Sequence, residues 1–167
     1  VLFRYALFPF LTISSKLSEI EFIFLSLSII GVTASGNIIN DIYDEEIDKV
    51  NCRNRPIPNG LISKKNAAIA YGVILCMSIV CVAVFSFKYQ FWWVFIIELF
   101  TILLLYIYAK CLKGIAVLGN VLISFLIGLS FLLFVIVEIP LETNPLSIHW
   151  IIFYGVFAFW ANLNREI

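Results

Sequence analysis

Apolar residues in this chain come in blocks rather than in alternation. Long runs extend from about Phe22 to Ile42, Ala67 to Phe87, Phe91 to Ala109, Ile115 to Val137 and Ile148 to Leu163. A helix needs about 20 apolar residues to cross the hydrocarbon core, and each run approaches that length, the last being marginal. A shorter opening stretch, Val1 to Leu11, reads as the end of one more helix whose start is missing. Polar breaks separate the runs at Ser14-Ser15-Lys16, Lys88-Tyr89-Gln90, Lys110 to Gly114 and Pro140 to Pro145. The ten-residue alternating segments of a membrane barrel do not occur. The pattern therefore predicts an all-α, polytopic transmembrane helical bundle. It should have six crossings, the first incomplete, in one transmembrane domain over residues 1–167 that is incomplete at both ends.

Composition sharpens that picture. Apolar residues make up 62% of the chain and charged ones 13%, against about 25% charged in an average soluble domain. Too few charges are available to coat a water-soluble surface, and too many apolar residues are present for disorder. Net charge is zero, so bulk charge points to no nucleic-acid partner. Cys76 and Cys81 lie in one apolar run and Cys52 and Cys111 in loops, which fits reduced, non-ligand thiols better than a disulfide framework.

The basic residues orient the chain. Leaving out Arg4 in the first helix, Lys49, Arg53, Arg55, Lys64, Lys65, Lys110, Lys113 and Arg165 fall on one side, and only Lys16 and Lys88 on the other. The positive-inside rule makes the first side cytoplasmic. Small residues Gly31, Ala34, Ser35 and Gly36 are expected to let their helix pack closely against its neighbours.

Charge is concentrated on that same side. All three aspartates, Asp41, Asp44 and Asp48, lie within eight residues. On a helix, Asn37, Asn40, Asp41, Asp44 and Asp48 step by three or four and share one face, a row of amides and carboxylates at the end of an apolar helix. Like charges so placed repel unless a cation sits among them. Mg²⁺ suits such a site, being a hard ion that takes oxygen ligands and is commonly held by one or two carboxylates plus substrate phosphates. The expected metal ligands are Asn40, Asp41, Asp44 and Asp48; the plain alternative is a solvated acidic helix end. Glu45 and Glu46 read as exposed residues without a role.

Other candidates flank this face. In Asn51-Cys52-Arg53-Asn54-Arg55-Pro56-Ile57-Pro58-Asn59-Gly60, two prolines stiffen the loop and Asn-Gly permits a turn. Arg55, beside Pro56, can make forked contacts to phosphate oxygens, whereas Arg53 reads as a topology-setting charge. Tyr106 and Lys110 stand one helical turn apart at the same membrane surface, where a phenol and an ammonium can both face an anion. Taken alone, they match an interfacial Tyr with a snorkelling Lys. Glu98 lies within an apolar run, a functional candidate by default, and its partner is not evident from sequence. Gly119, Asn120 and Ser124 put small and polar groups on the cytoplasmic half of their helix.

Together these residues resemble UbiA-type membrane prenyltransferases. Asn40-Asp41-x-x-Asp44-x-x-x-Asp48, followed by Asn51 and Arg55-Pro56-Ile57-Pro58-x-Gly60-x-Ile62-Ser63, looks like that family's first aspartate-rich motif. Tyr106-x-x-x-Lys110 matches its next signature. The stretch Asn51 to Ser63, with Leu112-Lys113 leading into Leu118-Gly119-Asn120-Val121, looks most like the digeranylgeranylglyceryl phosphate synthase branch. Arg53 stands where that branch leads one to expect Pro. The resemblance implies about nine helices, of which six are present, and a second aspartate-rich motif beyond Asn162 to Ile167. The present stretch alone is therefore expected to be inactive.

The resemblance also implies a chemistry: Mg²⁺-dependent transfer of a polyprenyl group from a polyprenyl diphosphate donor to a lipid-soluble acceptor in the membrane, in ether lipid synthesis. Asp41, Asp44, Asp48 and Lys110 are the expected catalytic residues. Asn37, Asn40, Asn51, Arg55, Tyr106 and Asn120 are the expected substrate contacts. Two alternatives stay open: an aromatic-ring prenyltransferase of quinone or chlorophyll type, and a cation transporter or channel with an acidic mouth. Oligomeric state is left open.

Overall fold

The computed structural model describes residues 17–51, 54–112, 116–138 and 145–165. The expected opening helix, Arg53 and Lys113 lie outside the described residues. Among the described residues the regular structure is all helical: α1 (Glu19–Val50), α2 (Lys64–Tyr89), α3 (Trp92–Ile107), α4 (Ala116–Glu138) and α5 (Pro145–Arg165). A π-helical turn, Tyr108–Leu112, extends α3. The helix ends match the hydrophobic pattern closely, save that α1 runs eight residues past its apolar run and carries the whole aspartate face. By length and composition, α1, α2 and α3 with its π turn can each cross a membrane.

Helix ends follow from local chemistry. At the start of α1, Glu21 accepts from the Ser18 amide at 2.7 Å and Ser18 Oγ accepts from the Glu21 amide at 3.5 Å, a reciprocal cap of orphan donors. Ser63 caps α2 by accepting from the Asn66 amide at 3.2 Å. Gln90 closes α2 in the left-handed conformation, φ 60°, and the chain turns at once into α3.

The chain clusters into two compact units. One takes in the Ser18 cap and residues from Asn120 onward. Within it α4 and α5 are joined by Asn162, whose amide donates to buried Ser124 Oγ at 3.1 Å. Gly128 faces Gly155 and Phe159 across this pair, where a Cβ would make ordinary van der Waals contact at 3.6 Å.

The other unit, Phe24–Gly119, holds α1 from Phe24, α2, α3 and the π turn. Its core includes Leu25, Val32, Val82, Phe85 and Val94. The small-residue expectation is met at two places. A methyl on Gly31 would collide with Ser78 Oγ of α2, and one on Gly36 would stand 3.0 Å from Leu105 Cδ1 of α3. Contacts of α1 with α3 advance together along both helices, from Ser28–Glu98 through Gly36–Leu105 to Tyr43–Tyr106. These two helices therefore run parallel, and the aspartate end of α1 lies at the level of the tyrosine–lysine turn.

Candidate functional site

The aspartate face is built by uninterrupted helix, so the three- and four-residue steps hold as expected. Asp44 and Asp48 are buried, at 4% and 3% exposure, and Asp41 and Asn40 are half-buried. Asn40 Nδ2 donates to Asp44 Oδ2 at 3.1 Å. Asn37, one turn earlier, is exposed, and so is Asn51, whose amide closes the helix end on the Ile47 carbonyl at 3.0 Å.

Arg55 is brought to this face by its loop. The Pro56–Gly60 segment coils into a compact turn. The Asn59 amide donates to the Arg55 carbonyl at 3.1 Å, and the Leu61 and Ile62 amides both donate to the Pro56 carbonyl, at 3.0 and 3.2 Å. Gly60 takes φ 73°, a conformation open to glycine at little cost. Ile57 is buried with Ile39, Ile42, Ala67 and Ala109, against which Ile38 and Tyr71 pack. This apolar cluster pins the loop to α1, α2 and the π turn at once. Arg55 Nη1 then lies 3.5 Å from Asp41 Oδ1, and its Nε lies 3.9 Å from Asp48 Oδ2.

The Tyr106–Lys110 pair also forms, though not on a plain α-helix. The chain widens into the π turn from Tyr108, whose amide reaches both the Leu104 and Leu105 carbonyls. The widened turn seats Ala109 in the apolar cluster and leaves Lys110 exposed. Lys110 Nζ stands 5.9 Å from the Tyr106 ring centroid, within cation–π range. Such π turns recur at functional sites. Asn120 is half-buried near the start of α4 and belongs to the other compact unit.

Three contacts were not legible from spacing. Tyr43 Oη donates to Tyr106 Oη at 3.2 Å, with the rings edge to face. Glu45 is corrected from an exposed, roleless acid. It is half-buried and pairs with Lys49 at 2.8 Å and with Lys64 at 3.0 Å, tying α1 to the start of α2. Glu98 has the partner that the sequence did not name: Ser28 Oγ donates to its Oε1 at 2.7 Å. One signal pointed there. Ser28 stands thirteen residues before Asp41 and Glu98 twelve before Lys110, hence at matching depth.

The metal expectation is revised in one respect. Among the described residues, no group of three or more His, Cys, Asp or Glu side chains stands in metal-holding geometry. Asn40, Asp41, Asp44 and Asp48 therefore do not form a ready-made cage; Arg55 reaches two of them instead. The donor set is nevertheless all oxygen, and one or two carboxylates suffice for a divalent ion that arrives with phosphate. The residues fit such an ion.

These are the features of an integral membrane protein with an acidic helix end that carries Arg55 across two of its aspartates. The chain belongs to the UbiA prenyltransferase family, whose model matches residues 2–163. It is 37% identical over 147 residues to a digeranylgeranylglyceryl phosphate synthase of Methanosphaera stadtmanae, an alignment covering 88% of this chain and 50% of that one. It is 42% identical over 96 residues to the enzyme of the same name from Thermococcus sibiricus, covering 57% of this chain and 32% of the relative. A solved structure, from work on digeranylgeranylglyceryl phosphate synthase in membranes, superposes with TM-score 0.65 at 28% identity, covering 90% of this chain and 48% of that one. The chain thus spans about half the length of the curated relatives it matches.

Proposed function

We propose that the protein transfers a polyprenyl group from a polyprenyl diphosphate to a lipid-soluble acceptor, with its acidic site facing the cytoplasm. The observation that supports this reading is Arg55 lying across Asp41 and Asp48, in a chain of this family whose α3 brings Tyr106 beside Tyr43 at the same end of α1. The acceptor we favour is the hydroxyl of geranylgeranylglyceryl phosphate, on the strength of the relatives' names.

Asp41, Asp44 and Asp48, with Asn40, present oxygen ligands for Mg²⁺. When bound, that ion supplies positive charge against the diphosphate as it leaves. Lys110 and Arg55 add cationic support to the same oxygens, and Tyr106 donates a hydrogen bond. Asn37 and Asn51 offer further polar contacts to substrate. The apolar helices shelter the prenyl chain and its allylic cation from water. The allylic C–O bond to diphosphate breaks, the acceptor oxygen forms the new ether bond, and its proton is released to water.

The test is product analysis with membranes carrying the full-length protein, geranylgeranyl diphosphate and alternative acceptors. An ether product from the glyceryl phosphate acceptor, lost on chelating divalent cations, is expected. A prenylated aromatic ring would assign the quinone or chlorophyll type of activity instead. Cation flux without any prenylated product would favour a transporter.

A further inference from the structure

Arg55 occupies the position where a cation is needed. Asp41 and Asp48 lie two helical turns apart on α1, and one guanidinium reaches both. Of the described cations near this end, Lys49 pairs with Glu45 and Glu46, Lys64 pairs with Glu45, and Lys110 lies over the Tyr106 ring. Yet the Arg55 contacts, at 3.5 and 3.9 Å, are longer than the roughly 2.7–3.2 Å of an N–H···O hydrogen bond. The Arg55 side chain is also 44% exposed. The contact with half-exposed Asp41 offsets repulsion between carboxylates while costing little to break, and the contact with buried Asp48 is the longer of the two. The loop does not depend on it, because Ile57 in the apolar cluster and the Pro56 turn hold the backbone.

We infer that Arg55 is an exchangeable counter-ion. It balances Asp41 and Asp48 so that the acidic face takes up a divalent ion poorly by itself, and it swings to the diphosphate when ion and donor arrive together. This rests on the proposed function and adds an order of binding to it. Three roles for Arg55 then differ in sign. An exchangeable counter-ion, once removed, tightens binding of the metal alone and weakens binding of the diphosphate. A residue that only held the loop would weaken both. A residue that only bound diphosphate would leave the metal alone unchanged.

The experiment measures Mn²⁺ binding to the detergent-purified full-length protein by the spin-resonance signal of free ion. Inorganic pyrophosphate binding in the presence of Mn²⁺ is measured by calorimetry. Arg55→Met should bind Mn²⁺ alone about fivefold more tightly, the upper range for an exposed ion pair. It should bind pyrophosphate about tenfold more weakly, as for the loss of one charged hydrogen bond. Arg55→Lys, which keeps the charge but not the fork, should fall between; if Arg55→Met does not fold, the Lys variant decides by the same two signs. Unchanged or weaker Mn²⁺ binding overturns the inference. Asp44→Asn separates the two levels: if it leaves both affinities intact, the proposed function fails and this inference with it. If it abolishes them and Arg55→Met brings no tightening, this inference alone fails.

Discussion

Two regions of the same helix pair treat a carboxylate in opposite ways. At the aspartate end of α1, Asp41 and Asp48 face a half-exposed guanidinium, and Tyr43 meets Tyr106 of α3 at the same level. Mid-span, Glu98 is 4% exposed and accepts one hydrogen bond from Ser28, while its Oε2 has no hydrogen-bond partner among the described residues. The first region has cations that can be exchanged and charges that can be matched to a ligand. The second has one hydroxyl and apolar packing, so it joins two helices and holds their register. The proposed chemistry is placed in the first, and the second ties α1 to α3 by one hydrogen bond.

This contrast breaks most sharply at the aspartates. Asp44→Ala or Asp48→Ala should lower prenyl transfer by about 100-fold or more, the scale for losing a main electrostatic stabiliser, with membrane insertion unchanged on a blot of the membrane fraction. Normal turnover in either variant would remove the metal from this face. Lys110→Met comes next: a loss of about tenfold in kcat/KM, the value of one hydrogen bond to a charged group. Unchanged kinetics would reduce Lys110 to an interfacial anchor.

Truncation beneath the site should act through stability. Ile57→Ala empties part of the apolar cluster that carries the Arg55 loop and should cost about 2 kcal/mol or more, read as a lowered Tm in detergent. The smallest effect is expected mid-span. Ser28→Ala removes the donor to Glu98 and should cost about 0.6 kcal/mol, typical of an interhelical hydrogen bond in a membrane protein. Transfer should keep its full dependence on divalent cations. If Ser28→Ala instead abolished transfer in a stable protein, the two regions would not be separable, and Glu98 would belong to the chemistry.

Much of this was legible in the amino-acid pattern, and the reason is local. The aspartate face depends only on helical periodicity over Asn40 to Asp48, and that helix forms without a break. Gly60 and the two prolines specified their turn for the same reason. Glu45 was misjudged because its partner Lys64 is nineteen residues away, across a loop whose path depends on Ile57 being buried. The π turn was missed because no short pattern encodes it; it appears where Ala109 packs into a cluster assembled from distant segments.

Residue order alone settled the membrane character, the helix spans, the acidic face and its resemblance to a prenyltransferase family, since hydrophobic run length and three-to-four spacing act within one helix. Tertiary structure decided which cation meets which acid. It set Arg55 across Asp41 and Asp48, Tyr43 against Tyr106, and Ser28 under Glu98. The first depends on where buried Ile57 pins its loop and the other two on how α1 and α3 lie side by side, and no stretch of sequence carries those distances by itself.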